Sequence, residues 1–107
     1  MRCSVEFSED AKKDRDALDG SVRKQVNNAI YSIAKNPLPR SEGGYGTPLG
    51  NKRGRNLTGL CRIKLLKLGI RVVYKIIRDK EVMKIIVIAA RSDEEVYEIA
   101  VARAEKG

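Results

Sequence analysis

Leu60-Cys61-Arg62-Ile63-Lys64-Leu65-Leu66-Lys67-Leu68, a break at Gly69, and Ile70-Arg71-Val72-Val73-Tyr74-Lys75-Ile76-Ile77-Arg78 form the stretch that decides the fold. Successive side chains of a strand point to opposite faces. Ile63 and Leu65 therefore go one way and Arg62 and Lys64 the other. In the second run, Val72, Tyr74 and Ile76 oppose Arg71, Val73 and Lys75. The second run is rich in β-branched residues, and Asp79-Lys80 makes a polar turn into a third apolar run from Glu81 to Ala90. Three consecutive strands, 60–68, 70–78 and 81–90, make an antiparallel meander.

Toward the amino terminus, Cys3, Val5 and Phe7 alternate with Ser4 and Glu6, which predicts a first strand with Cys3 as packing material. Ser8 is a candidate N-cap, Glu9 and Asp10 suit the positive end of a helix, and that helix runs to about Leu18 before Asp19-Gly20 breaks it. Ser21 is a candidate cap for a second helix, in which Val22, Val26, Ala29, Ile30, Ile33 and Ala34 form one stripe until Asn36-Pro37. Such a helical hairpin has to cover apolar surface elsewhere. The stretch 37–59 holds all three prolines and six of the nine glycines, so it is expected to be an irregular loop, functional or mobile because of its length. From Ser92 on, Asp93, Glu94 and Glu95 precede Val96, Ile99, Ala100 and Arg103 at helical spacing. The expected fold is α+β in a single domain over 1–107. It comprises an N-terminal strand, a helical hairpin and the three-stranded meander, together one four-stranded sheet, and a C-terminal helix.

Charge is distributed unevenly. Residues 43–78 carry nine basic side chains and no carboxylate, whereas the other 71 positions balance 13 basic against 14 acidic ones. The whole excess of +8 thus falls in one third of the chain, which points to a polyanion met by one surface, nucleic acid first. If the hairpin covers Ile63, Leu65, Val72 and Tyr74, then Arg62, Lys64 and Arg71 converge on the uncovered sheet face. Cys3 and Cys61 cannot supply the roughly four ligands of a zinc site, and there is no histidine, so no metal or other cofactor is expected. Proton transfer near neutral pH then falls to Lys, Tyr, Cys, Asp, Glu or the substrate. No apolar run approaches the roughly 20 residues of a membrane span and the first residues alternate, so a cytoplasmic protein is expected.

Three segments carry a family resemblance: Asn56-Leu57-Thr58-Gly59-Leu60-Cys61-Arg62-Ile63-Lys64, Gly69-Ile70-Arg71-Val72-Val73-Tyr74, and Arg91 followed by Glu95-Val96-Tyr97. With the order of elements, they resemble the RelE branch of the RelE/ParE toxins over nearly the whole chain. The most specific parts are Leu-x-Arg-x-Lys, Gly-x-Arg-x-x-Tyr and an arginine six residues ahead of a tyrosine. The resemblance implies a toxin of a bacterial toxin–antitoxin pair, an endoribonuclease that cuts mRNA in the ribosomal A site without metal. It implies that Arg62 and Lys64 are a basic pair, Arg71 a phosphate-binding arginine, and Arg91 and Tyr97 the remaining catalytic pair. ParE-like relatives, which poison DNA gyrase, generally lack this set.

The chemistry agrees. Cleaving RNA through its 2′-hydroxyl needs a base for that proton, cations for the negative phosphorane and an acid for the departing 5′ oxygen. Crowded cations favour the deprotonated form of a lysine or a tyrosine, so Lys64 or Tyr97 could be the base. Arg62 and Arg71 suit bidentate phosphate binding, and Arg91 could stabilise charge or donate the last proton. Lys52, Arg53, Arg55 and Lys67 are candidate RNA-backbone contacts. The expected partners are mRNA, the ribosome and an acidic, partly disordered antitoxin, with the toxin monomeric when free. Two rivals are a ParE-like gyrase inhibitor without nuclease activity and a non-catalytic RNA-binding module. The module is disfavoured because Tyr45, the only aromatic of the basic stretch besides Tyr74, makes no stacking platform.

Overall fold

The computed structural model describes residues 1–52 and 55–105, apart from the side chains at 51, 52, 55 and 105. The elements are β1 (Ser4–Phe7), α1 (Glu9–Asp16), α2 (Gly20–Ile33), β2 (Thr47–Lys52), β3 (Arg55–Leu65), β4 (Ile70–Ile77), β5 (Val82–Ala89) and α3 (Asp93–Glu105). The class is α+β, as expected. Among the described residues the sheet has five strands instead of four, in the order β1-β5-β4-β3-β2. Strands β2 to β5 pair antiparallel in succession, whereas β1 lies parallel to β5, with Ser4 opposite Val82 and Phe7 opposite Ile85.

The additional strand comes from the stretch expected to be irregular. Proline lacks the N–H of a sheet ladder and is confined to edges and bulges. Pro48 satisfies both conditions, since β2 is the edge strand and its register against β3 shifts between Pro48 and Gly50. Gly50 has φ +60, which a bulge requires and glycine supplies without strain. Leu49 and Leu57 fill the core, an apolar signal that the prolines and glycines around them obscure. The same stretch also holds a short 3-10 turn at Arg40–Glu42, and β3 begins at Arg55, five residues before the expected start.

Each sheet face has its own core. Helices α1 and α2 place Ala11, Val26 and Ile30 against Ile63, Val72, Tyr74, Met83 and Ile85. Helix α3 places Val96, Tyr97 and Ala100 against Leu57, Leu60, Val73 and Val87. The second face is therefore partly covered, contrary to the expectation of an open one, because Val73, Val87 and Leu60 give it an apolar half. Ser8 caps α1, accepting from the Ala11 N–H at 3.1 Å. Asp19 holds the N-cap position of α2, and Ser21, expected there, lies in the first turn and donates to Asp19. Cys3 and Cys61 are buried free thiols, and burial pushes both up from the usual thiol range.

Two anchors fix what borders the site. Arg103 of α3 donates to Asp14 of α1 at 2.7 and 3.3 Å and to the Ile86 carbonyl at 2.9 Å, while Asp14 accepts from the Ile88 N–H at 3.0 Å. These contacts occupy the edge of β5 beyond the four residues paired with β1. The second anchor is Tyr74, fully buried, whose hydroxyl donates to the Pro37 carbonyl at 2.8 Å. Gly46 passes so close that a Cβ would press into this hydroxyl and lie 2.8 Å from Pro37 O. Gly46→Ala should therefore lower stability by about 1–3 kcal/mol, through overpacking and loss of a buried hydrogen bond. A urea melt checks this: the midpoint should fall with the slope unchanged.

Candidate active site

Strand register decides which cations meet. Lys64 lies directly opposite Arg71, and Arg62, two residues before Lys64 on the same face, lies opposite Val73. Arg71 is also opposite Ala89 at the end of β5, so the turn into α3, residues 90–92, arrives beside it. Like charges directly opposite on a sheet repel. A carboxylate offsets that repulsion here.

That carboxylate is Asp93, the first residue of α3. Its Oδ1 is hydrogen-bonded by Arg71 Nε, and its Oδ2 is 3.5 Å from Lys64 Nζ and 3.7 Å from Arg62 Nη1. Burial pushes the Asp93 carboxyl up, but the hydrogen bond from Arg71 and the charges of Arg71, Lys64 and Arg62 outweigh it and hold the group below the usual carboxylate range. Arg71 Nη1 also donates to the Arg91 carbonyl at 2.6 Å. The Ser92 hydroxyl fixes the first turn of α3, accepting from the Glu95 N–H at 3.3 Å and donating to the Glu95 carboxylate at 3.1 Å.

Tyr97 enters from α3. Only 6% of it is exposed, its ring packs with Leu60, Val73 and Val87, and its hydroxyl accepts from Arg62 Nη1 at 2.5 Å. The ring of this tyrosine is packing, and its oxygen belongs to the cluster. Arg91 is placed differently. Its carbonyl joins the cluster, but its guanidinium turns to Glu95, 3.2 Å away, with both side chains more than half exposed.

Of the candidate backbone contacts, Lys67 is exposed in the turn joining β3 to β4 and borders a shallow groove with Gln25, Lys64 and Leu66. Arg53 lies outside the described residues, as do the side chains of Lys52 and Arg55. Tyr45, set aside on sequence grounds, lines one cleft with Arg40, Thr47, Arg62 and Lys64. The 3-10 turn beside that cleft is tied to the end of β4 by a two-pronged contact from Arg78 to Glu42 at 2.9 and 2.8 Å. Among the described residues, no group of three or more His, Cys, Asp or Glu side chains could hold a metal ion. None of the helices there is long and apolar enough to cross a membrane.

No family model matches the chain. The mRNA interferase toxin RelE of Escherichia coli strain K12 is 32% identical over 103 residues, 96% of this chain and 98% of that protein. The chain belongs to the RelE family of toxins. Among solved structures, a double mutant of E. coli toxin RelE in the free state superposes with a TM-score of 0.72 at 28% identity, over 96% of this chain and 98% of that one. The same mutant in complex with a peptide of the antitoxin RelBc gives 0.66 at 27% identity, over 94% and 95%. Near-complete coverage on both sides means that this RelE-family chain spans the length of its relatives, with its basic cluster inside the shared region.

Proposed function

We propose that this toxin is an endoribonuclease that cuts mRNA in the ribosomal A site by 2′-hydroxyl attack, without a metal ion. The observation that carries this reading is the convergence of Arg62, Lys64 and Arg71 from neighbouring strands with the Tyr97 hydroxyl. The 2′ oxygen bonds to phosphorus, the P–O5′ bond breaks, and a cyclic phosphate and a free 5′-hydroxyl result. Arg62 and Arg71 hold the phosphorane, since a guanidinium fork matches two phosphate oxygens. With its oxygen accepting from Arg62, Tyr97 has its own proton available for the departing 5′ oxygen, which leaves the 2′ proton to Lys64. Arg91 adds charge once it leaves Glu95; exposed i,i+4 pairs are worth only about 0.3–0.5 kcal/mol, so leaving costs little.

Lys52, Arg53, Arg55 and Lys67 are assigned on their charge to the RNA backbone, which is bound mainly through its phosphates. So few side chains cannot by themselves order a flexible strand, and a ribosome that already fixes the codon removes that entropic cost. The partners are therefore mRNA, the ribosome and a cognate antitoxin. The antitoxin is acidic and partly disordered and covers the basic face in the cytoplasm, where the free toxin is monomeric.

Induction in cells followed by mapping of mRNA 5′ ends tests the proposal. Codon-phased cuts are expected. A DNA-damage response with intact mRNA would transfer the assignment to gyrase, and intact mRNA without such a response to plain RNA binding.

A further inference from the structure

In the free protein an anion already occupies the cation cluster. We propose that Asp93 is an internal stand-in for phosphate: it holds Arg62, Lys64 and Arg71 in register until RNA binds, then yields its place to the scissile phosphate, and so sets the affinity of the site. The identity of the incoming anion rests on the nuclease reading above; the exchange itself rests on the cluster's geometry.

Three observations favour exchange over a fixed structural pair. The guanidinium fork binds carboxylate and phosphate by the same donors, and Arg71 has a second anchor in the Arg91 carbonyl at 2.6 Å. Its plane can therefore stay in place while Nε changes partner. The Asp93 side chain is 38% exposed, against 21% for Arg71 and 26% for Arg62. It can turn to water while the cations remain where they are. Its backbone need not move, because the Ser92–Glu95 contacts hold the turn, and a carboxylate there stays favoured by the positive end of α3.

A catalytic-base role for Asp93 fits less well. A carboxylate shared by three cations is stabilised in its charged form and accepts a hydroxyl proton reluctantly. If the carboxylate fills the site about nine-tenths of the time, apparent affinity for RNA is reduced roughly tenfold, because only the open fraction binds.

The test uses the purified chain and a short RNA carrying a 2′-deoxy residue at the cleavage position, so that binding is read without cleavage. Asp93→Asn removes the charge at nearly constant shape and should tighten the dissociation constant roughly tenfold, a gain that shrinks as salt rises. On translating ribosomes the same variant should lower KM with kcat unchanged, which a merely structural role would not do. Equal or weaker binding by the Asn variant overturns the proposal, and so does a fall in kcat. If the variant does not fold, nitrogen NMR of Arg71 Nε in the unaltered protein decides: its resonance should shift as the deoxy RNA is added, and an unmoved resonance at saturation overturns the exchange. Tighter binding with no cleavage by either protein would refute the nuclease reading while leaving the exchange standing.

Discussion

Arg71→Ala is expected to reduce mRNA cleavage by about 10²–10³-fold while leaving the protein folded. The guanidinium is hydrogen-bonded at two points, to Asp93 and to the Arg91 carbonyl, so under the proposed mechanism it is preorganised where negative charge grows in the transition state. Removing one such donor typically costs that factor. The effect on stability should be far smaller. Arg71 and Asp93 are both partly exposed, solvent screens the pair to at most about 1 kcal/mol, and loss of Arg71 also relieves its repulsion with Lys64 across the ladder. Arg71→Lys keeps a charge but not the fork, and should fall between the two. Cleavage rates on programmed ribosomes, with a thermal melt of each variant, provide the check. An undiminished rate in Arg71→Ala would remove this residue from the site.

The second large effect is expected from Tyr97→Phe. The ring is almost completely buried against Leu60, Val73 and Val87, and phenylalanine preserves that packing. The change deletes one oxygen, the acceptor of the Arg62 hydrogen bond. Stability should drop by only about 0.5–1.5 kcal/mol, the usual net worth of one hydrogen bond. Cleavage should drop by about 10²–10⁴-fold if the phenol delivers the proton to the 5′ oxygen. Tyr97→Ala would unfold part of the α3 core and could not separate the two roles. If Tyr97→Phe cleaves at the unaltered rate and Tyr97→Ala merely destabilises, the tyrosine is core and nothing more.

These two residues mark how far the sequence could be read. Arg62, Lys64 and Arg71 could be assigned to a common face because strand alternation is local: Ile63, Leu65, Val72 and Tyr74 have to go to the α1/α2 side. Val73, two residues after Arg71 and on its face, was the hint that this face is partly covered. Tyr97 came from family resemblance, since on spacing alone an aromatic in an amphipathic helix reads as core. Asp93 could not be anticipated as the partner of Arg71, because the two are 22 residues apart on different elements and meet only through the register of β4 with β5. It read as one of three acids at a helix start. β2 was illegible for another reason, as Pro48 and Gly50 break strand propensity and only the edge position and the bulge accommodate them.

The first strand has a consequence for the order of assembly. Ser4–Phe7 are synthesised well before Val82–Ile85, the segment they pair with, and the Tyr97 hydroxyl arrives later still. Contacts so distant along the chain close late and slowly. A nascent copy therefore carries its arginines and lysines without the completed cluster until Tyr97 has been made, and under the proposed ribosome-dependent mechanism the topology of the product protects the ribosome that builds it.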